Sequence, residues 1–132
     1  MAVRILVADA FQPWRGTVCS LLKRRAELQV VGEVADGLAA VQEASKLKPD
    51  LILLDVGLPN LNGIEAAKRI RQVVSGAKIL FLTVISQAEV AQAALSSGGQ
   101  GYVLKQNAGS ELWPAIEAVL QGKQYVSSGL AG

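Results

Sequence analysis

The stretch Asp50-Leu51-Ile52-Leu53-Leu54-Asp55-Val56-Gly57-Leu58-Pro59-Asn60-Leu61-Asn62-Gly63 constrains the fold more than any other part of the chain. Four apolar residues run without alternation into one carboxylate. A short apolar run bounded by turn residues reads as a strand buried on both faces, as in a parallel sheet covered by helices. Asp55 then falls at the carboxyl end of the strand, the edge at which open α/β sheets build their sites. Gly57, Pro59, Asn60, Asn62 and Gly63 make a stiff loop that cannot continue the strand. Asn62 is placed to N-cap a helix beginning near Ile64. On this stretch alone, Asp55 reads equally well as a site residue or as a plain polar end to a strand.

The same pattern recurs along the chain. Residues 3–8 form a short, mostly apolar run that ends at Asp9, and Pro13 follows where Pro can open a helix. Trp14, Val18, Leu21 and Leu22 recur at helical spacing, with Trp14 read as core packing near the strand end. Residues 28–35 read as a second strand, stopped by Asp36-Gly37, and Leu38, Val41 and Ala44 mark a helix down to Lys48-Pro49. Ile64, Ala67, Ile70 and Val74 give the next helix, with Glu65 and Arg69 spaced to pair on its outer face. Ser75-Gly76 ends it, and residues 78–84 are a fourth buried strand.

Ser86 with Glu89 has the spacing of a capping box. The helix it opens is mostly Ala, Gln and Ser, so its apolar face is thin and it is expected to be the least firmly packed. Gly98-Gly99 stops it. Residues 101–105 are a fifth strand ending at Lys105. Ser110 is placed to cap a last helix carrying Leu112, Ile116, Val119 and Leu120, with Pro114 in its first turn and Gly122 after its end. Strand and helix alternate about five times, which implies a parallel sheet with helices on both faces. The expected architecture is a doubly wound α/β fold of five parallel strands, order 2-1-3-4-5, rather than a barrel. One domain is expected over residues 1–126, with 127–132 the start of a linker or tail.

Composition narrows the chemistry. A chain of 132 residues, 51% apolar and 18% charged, is long enough to bury a real core without staples. A net charge of +2 is too small to argue for nucleic-acid binding. Lys23-Arg24-Arg25 is the only basic run and reads as a solvated helix end. The single cysteine, Cys19, excludes an internal disulfide and reads as a packing residue. There is no histidine, which removes His acid–base catalysis, the Ser-His-Asp triad and His metal sites. No apolar run reaches membrane-spanning length and no signal peptide is apparent, so the cytoplasm is the expected location.

The residues suited to chemistry all end predicted strands: Asp9 the first, Asp55 the third, Thr83 near the end of the fourth, Lys105 the fifth. Each has an ordinary reading: a helix cap, a strand residue, or an edge charge that discourages aggregation. In a doubly wound sheet, however, these ends converge on one edge. Carboxylates there suit Mg²⁺, the Lys and Thr suit phosphoryl oxygens, and an aspartate can take a phosphoryl group as a nucleophile.

These residues carry a resemblance that covers essentially the whole chain. It resembles a receiver domain of a bacterial two-component response regulator. Ile5 to Asp9 matches the first strand and its acidic end. Leu51 to Pro59, with Asn62-Gly63-Ile64-Glu65, matches the phosphoacceptor strand and loop. Leu80-Phe81-Leu82-Thr83 matches the strand with the switch hydroxyl, and Gly101-Tyr102-Val103-Leu104-Lys105 the switch aromatic and the lysine. Glu111 to Ile116, then Gly122 to Ser127, are similar to the NarL/FixJ/LuxR-type subfamily, whose receivers usually precede a helix-turn-helix DNA-binding domain.

The resemblance implies that Asp55 accepts phosphoryl from a histidine kinase. Asp9, Asp55 and the Gly57 backbone carbonyl would hold Mg²⁺, and Lys105 would bind a phosphoryl oxygen. Thr83 would turn toward the phosphoryl and Tyr102 would follow inward. The face of the fourth helix, fifth strand and fifth helix would change, and it is the surface the resemblance offers for a homodimer. DNA would be reached only through a helix-turn-helix domain outside these residues, and no membrane partner is expected. The implied role is a phosphoacceptor switch in transcription regulation, not an enzyme beyond autophosphatase activity.

The chain departs from the receiver pattern in two places. Most receivers carry two adjacent acidic residues after the first strand, and here Ala10 follows Asp9. Mg²⁺ binding is therefore expected to be weak. Val84, after the switch Thr, is bulkier than usual and is expected to crowd the site. The alternative function is an atypical receiver that signals by protein–protein interaction without phosphorylation. An aspartyl-phosphate hydrolase of the haloacid-dehalogenase type is disfavoured by Gly57, where that chemistry wants a second carboxylate. A flavin-binding role is disfavoured because Asp9 to Pro13 lacks a phosphate cradle.

Overall fold

The computed structural model describes residues 2–130. Five βα units run in order: β1 (Val3–Ala8), α1 (Gln12–Leu22), β2 (Leu28–Val34), α2 (Gly37–Leu47), β3 (Leu51–Leu54), α3 (Gly63–Val73), β4 (Lys78–Thr83), α4 (Ala88–Ser96), β5 (Gly101–Leu104) and α5 (Ala108–Leu120). A 3₁₀ turn, Lys105–Asn107, leads directly from β5 into α5. A further strand, β6 (Tyr125–Val126), follows.

The sheet is wholly parallel in the order β2-β1-β3-β4-β5-β6. The expected order of five strands is therefore extended by a sixth. β6 is a pair of residues on the outer edge of β5, with Tyr125 N–H donating to Gln100 O at 3.0 Å. Two residues are too few for any periodic pattern, so only backbone pairing reveals this strand.

β3 explains why two helical layers are needed. Side chains alternate across a strand. Ile52 and Leu54 enter one core with Ala40, Ala44, Ala66, Ala67, Ile70, Ala91 and Ala94 from α2, α3 and α4. Leu51 and Leu53 enter the other with Val18, Cys19 and Leu22 of α1 and Leu112, Ala115, Ile116 and Val119 of α5. All four are at most 1% exposed. Cys19 belongs to the second core, where burial and then the nearby Glu33 charge push its thiol up to about 11. It is inert packing at neutral pH.

Local signals were mostly placed as read. Asn62 caps α3, its Oδ1 accepting from Glu65 N–H at 3.0 Å, and Asp36 caps α2 through Ala39 N–H at 2.7 Å. α4 buries only Ala91 and Ala94, small contacts for a lightly held helix. Three readings are corrected. Gln87, not Ser86, is the N-cap of α4, and no side chain caps it. α5 begins at Ala108 because the 3₁₀ turn runs straight into it, so Ser110 lies inside and Pro114 is a mid-helix residue rather than a first-turn one. Glu65 pairs with Lys68 at 3.3 Å instead of Arg69, an exposed contact worth little. The basic run is also more than a solvated end, since the Arg25 guanidinium lies 4.4 Å from the Trp113 ring centroid and pins the α1–β2 turn to α5.

Residues 127–130, read as the start of a linker, are held against the domain at Ser127, which is fully buried. Residues 131–132 of that segment lie outside the described residues. No helix among the described residues is long and apolar enough to cross a membrane.

Truncating Leu53 or Leu54 to Ala leaves a cavity in one core or the other. Each variant is expected to lose about 2–5 kcal/mol of unfolding free energy in denaturant melts. A loss under about 1 kcal/mol in both would contradict a strand covered on its two faces.

Candidate functional site

Parallel pairing brings the carboxyl ends of β1, β3, β4 and β5 to one edge of the sheet, with β1 beside β3 and β4 between β3 and β5. Asp55 N–H donates to Ala8 O at 3.1 Å, which fixes the start of the Asp55 turn against the end of β1. Asp9 N–H donates to Val34 O at 3.0 Å. The Lys105 ammonium then reaches both carboxylates, Asp9 Oδ2 at 2.7 Å and Asp55 Oδ2 at 3.3 Å. The three side chains are only 5%, 14% and 12% exposed for Asp9, Asp55 and Lys105, so water screens the ion pairs little.

The remaining carboxylate oxygens are also held. Asp9 Oδ1 accepts from Phe11 N–H at 2.9 Å and so shapes the β1–α1 turn. Asp55 Oδ1 accepts from Gly57 N–H at 3.3 Å. It is the Gly57 amide that meets Asp55 here. Arg15 donates to Asp9 O at 2.6 Å and pairs with Glu33 at 3.3 Å, tying α1 to the ends of β1 and β2. The Trp14 ring lies 5.6 Å from Lys105 Nζ, within cation–π reach. Its buried indole N–H has no partner among the described residues, and Trp14 borders a small void with Asp9, Leu53 and Asp55.

Thr83 and Tyr102 form a second group around the β4–α4 loop. Both are fully buried. Thr83 Oγ1 accepts from Ile85 N–H at 3.4 Å, and the Tyr102 hydroxyl donates to Ile85 O at 2.7 Å. Burial, and then the Asp55 charge, push the Tyr102 phenol up to about 12, so it stays a neutral donor. Its ring packs on Phe81 at 6.2 Å between centroids.

Residues 5–117 match the response regulator receiver domain family. The chain belongs to that family. It is 32% identical over 130 residues to the transcriptional regulatory protein LiaR of Bacillus subtilis, covering 98% of this chain and 62% of that protein. It is also similar to the crystal structure of a LuxR-family two-component response regulator from Aurantimonas, at 35% identity and a TM-score of 0.94, covering 99% of this chain and 94% of that one. The isolated receiver domain of RcsB from Salmonella, solved with the phosphomimetic BeF₃⁻, matches at 25% identity and a TM-score of 0.91, covering 99% and 97% of the two chains. The chain spans about three fifths of the length of the curated relatives it matches.

Asp9, Asp55 and Lys105 form one bonded cluster, while Thr83 and Tyr102 are bonded to Ile85 and not to the cluster. The aromatic expected to move inward is inward already. Among the described residues, no group of three or more His, Cys, Asp or Glu side chains is placed to hold a metal. Val84 is 66% exposed on the loop after β4. Sequence reasoning missed Ile85, Arg15 and Glu111. Ile85 acts through its backbone alone and carries no side-chain signal. Arg15 and Glu111 sit at helical positions where a charge ordinarily faces solvent.

Gly63 holds the acceptor turn in place. Its N–H donates to Val56 O at 2.8 Å, and a Cβ there would fall 2.0 Å from Asp55 O. Gly63→Ala is expected to push α3 off the turn and cost about 2–4 kcal/mol in denaturant melts, with large amide shifts at Asp55 and Gly57 by NMR. Unchanged stability and shifts would contradict this packing.

Proposed function

We propose that this receiver takes a phosphoryl group onto Asp55 from the phosphohistidine of a histidine kinase and thereby controls transcription. The observation that carries the reading is the clamped Asp55 carboxylate. One oxygen faces an ammonium at 3.3 Å and the other a backbone amide at 3.3 Å, in a wall shared with a second carboxylate. The chain has no histidine, so the phosphohistidine belongs to the partner. An Asp55 oxygen attacks phosphorus, the bond from phosphorus to the imidazole nitrogen breaks, and the imidazole leaves with that electron pair. Lys105 passes from the Asp55 carboxylate to a phosphoryl oxygen and keeps the local charge balanced. Thr83 then offers its hydroxyl to another phosphoryl oxygen, giving up its contact with Ile85 N–H. That exchange frees the β4–α4 loop, and the lightly packed α4 is the element able to respond.

Receivers of this family generally use Mg²⁺, and the donors present fit that ion in kind. Asp9, Asp55 and the Gly57 carbonyl are oxygen ligands, which suit a hard cation usually held through one or two carboxylates. Bound there, Mg²⁺ supplies positive charge to the phosphoryl oxygens. Lys105 already contacts Asp9 at 2.7 Å and competes for that carboxylate, and Ala10 supplies no third one. Weak Mg²⁺ affinity follows. The similarity to the transcriptional regulatory protein LiaR supports transcription control, and the α4–β5–α5 face is the proposed homodimer surface. The protein is a switch rather than a catalyst.

With a small phosphodonor and Mg²⁺, intact-mass measurement is expected to show one added phosphoryl on the wild type and none on Asp55→Asn. Equal modification of the variant would overturn the assignment. Ala10→Asp is expected to tighten Mg²⁺ binding, followed by tryptophan fluorescence, and to speed phosphorylation. It is also expected to lower the metal-free melting temperature through carboxylate repulsion. Unchanged Mg²⁺ affinity would show that position 10 does not face the site and would favour signalling without phosphorylation.

A further inference from the structure

Glu111 has no part in the chemistry above, yet it is a buried charge, 7% exposed, in the first turn of α5. Its carboxylate accepts from Ser127 Oγ, from Ser128 N–H at 3.2 Å and from Ser128 Oγ at 2.9 Å. Burial alone would raise its pKa, and the hydrogen bonds from Ser127 and Ser128 outweigh burial and lower it. The group is a carboxylate at neutral pH. A hydroxyl has one proton to give. Ser127 gives it to Glu111, which leaves its oxygen to accept. It accepts from Leu104 N–H at 3.0 Å and from Asn107 Nδ2 at 3.5 Å.

Leu104 and Asn107 flank Lys105. Ser127 N–H also donates to Tyr102 O at 2.8 Å. One residue of the segment after β6 is therefore bonded on both sides of the site lysine and to the strand carrying the inward aromatic. Lys105 opens a short 3₁₀ turn at the end of β5, where the ladder no longer fixes the backbone. Its ammonium must still arrive within hydrogen-bond reach, and displacements near 1 Å can cost about a hundredfold in such sites.

We propose that Ser127, its hydroxyl oriented by the buried Glu111 carboxylate, is a positioning residue for Lys105 and so couples the segment after β6 to the phosphoryl-accepting site. The inference rests on the reading that Lys105 binds a phosphoryl oxygen. Binding at the site favours the placed Lys105, and that placement is the arrangement in which Ser127 is bonded to Leu104 and Asn107. Coupling is reciprocal. Occupancy of the site tightens the hold on the segment, and cutting that hold weakens occupancy.

The test uses beryllofluoride with Mg²⁺ as the probe. Affinity is read by tryptophan fluorescence, and backbone exchange at Leu104 and Ser127 by hydrogen exchange. Ser127→Ala is expected to weaken beryllofluoride binding about tenfold, within the usual range of coupling between sites. Ser128→Ala removes one bond to Glu111, that of Ser128 Oγ, and none to β5, and is expected to leave affinity within about twofold. In the wild type, the probe is expected to slow exchange at Leu104. Equal melting losses in Ser127→Ala and Ser128→Ala with wild-type affinity in both would overturn the inference and leave a mere fastening. If Ser127→Ala fails to fold, Glu111→Gln, which keeps an acceptor but no charge, is expected to weaken binding about threefold. Unchanged affinity there overturns the inference as well. A wild type that binds no beryllofluoride removes the acceptor reading and this inference with it, whereas wild-type binding that Ser127→Ala leaves intact removes this inference alone.

Discussion

The ammonium of Lys105 joins two carboxylates that come from different strands, and the site depends on that junction. Asp9 and Asp55 follow neighbouring strands, and their charges would repel at this spacing without a cation between them. Lys105 stands at 2.7 Å from one and 3.3 Å from the other. The cluster carries two negative charges and one positive, so the site keeps a net charge of about −1 by simple count. That surplus is smaller than a cluster with a third carboxylate would have, since Ala10 follows Asp9.

Rigidity is distributed unevenly around that junction, and packing explains the distribution. On one side, the β3–α3 turn is closed by Gly63, whose missing side chain lets α3 sit against Asp55 O, and by the Asn62 cap. On the other side, the β4–α4 loop leads to a helix that buries only Ala91 and Ala94. Small residues bury little apolar area, so this helix is lightly held. The Asp55 turn is thus tightly held, while the loop after β4 leads into the thinner part of the core.

Ile85 links the two sides through its backbone. Its N–H meets Thr83 and its carbonyl meets Tyr102, so the backbone of one residue contacts both the Thr83 hydroxyl and the aromatic. Tyr102 is already buried, so its ring has no inward movement from solvent left to make. β6 and Ser127 secure the opposite edge of β5, so the strand carrying Tyr102 and preceding Lys105 is bonded along both its edges.

The sequence by itself determined the alternation of strands and helices, the doubly covered β3, the caps at Asn62 and the four residues at strand ends. These are set by hydrophobic periodicity and by turn chemistry, which act over a few neighbours. Only the tertiary structure decided which of those residues touch. Asp9, Asp55 and Lys105 meet because the parallel register brings distant segments to one edge, and Thr83 is turned to Ile85 instead. It also decided the start of α5, where a 3₁₀ turn from β5 overrides the Ser110 signal, and the choice of Lys68 over Arg69 as partner for Glu65. β6 and the Glu111–Ser127 contact were invisible for a related reason. A two-residue strand and a buried carboxylate gain their stability from partners far away in the chain, and no local pattern records such partners.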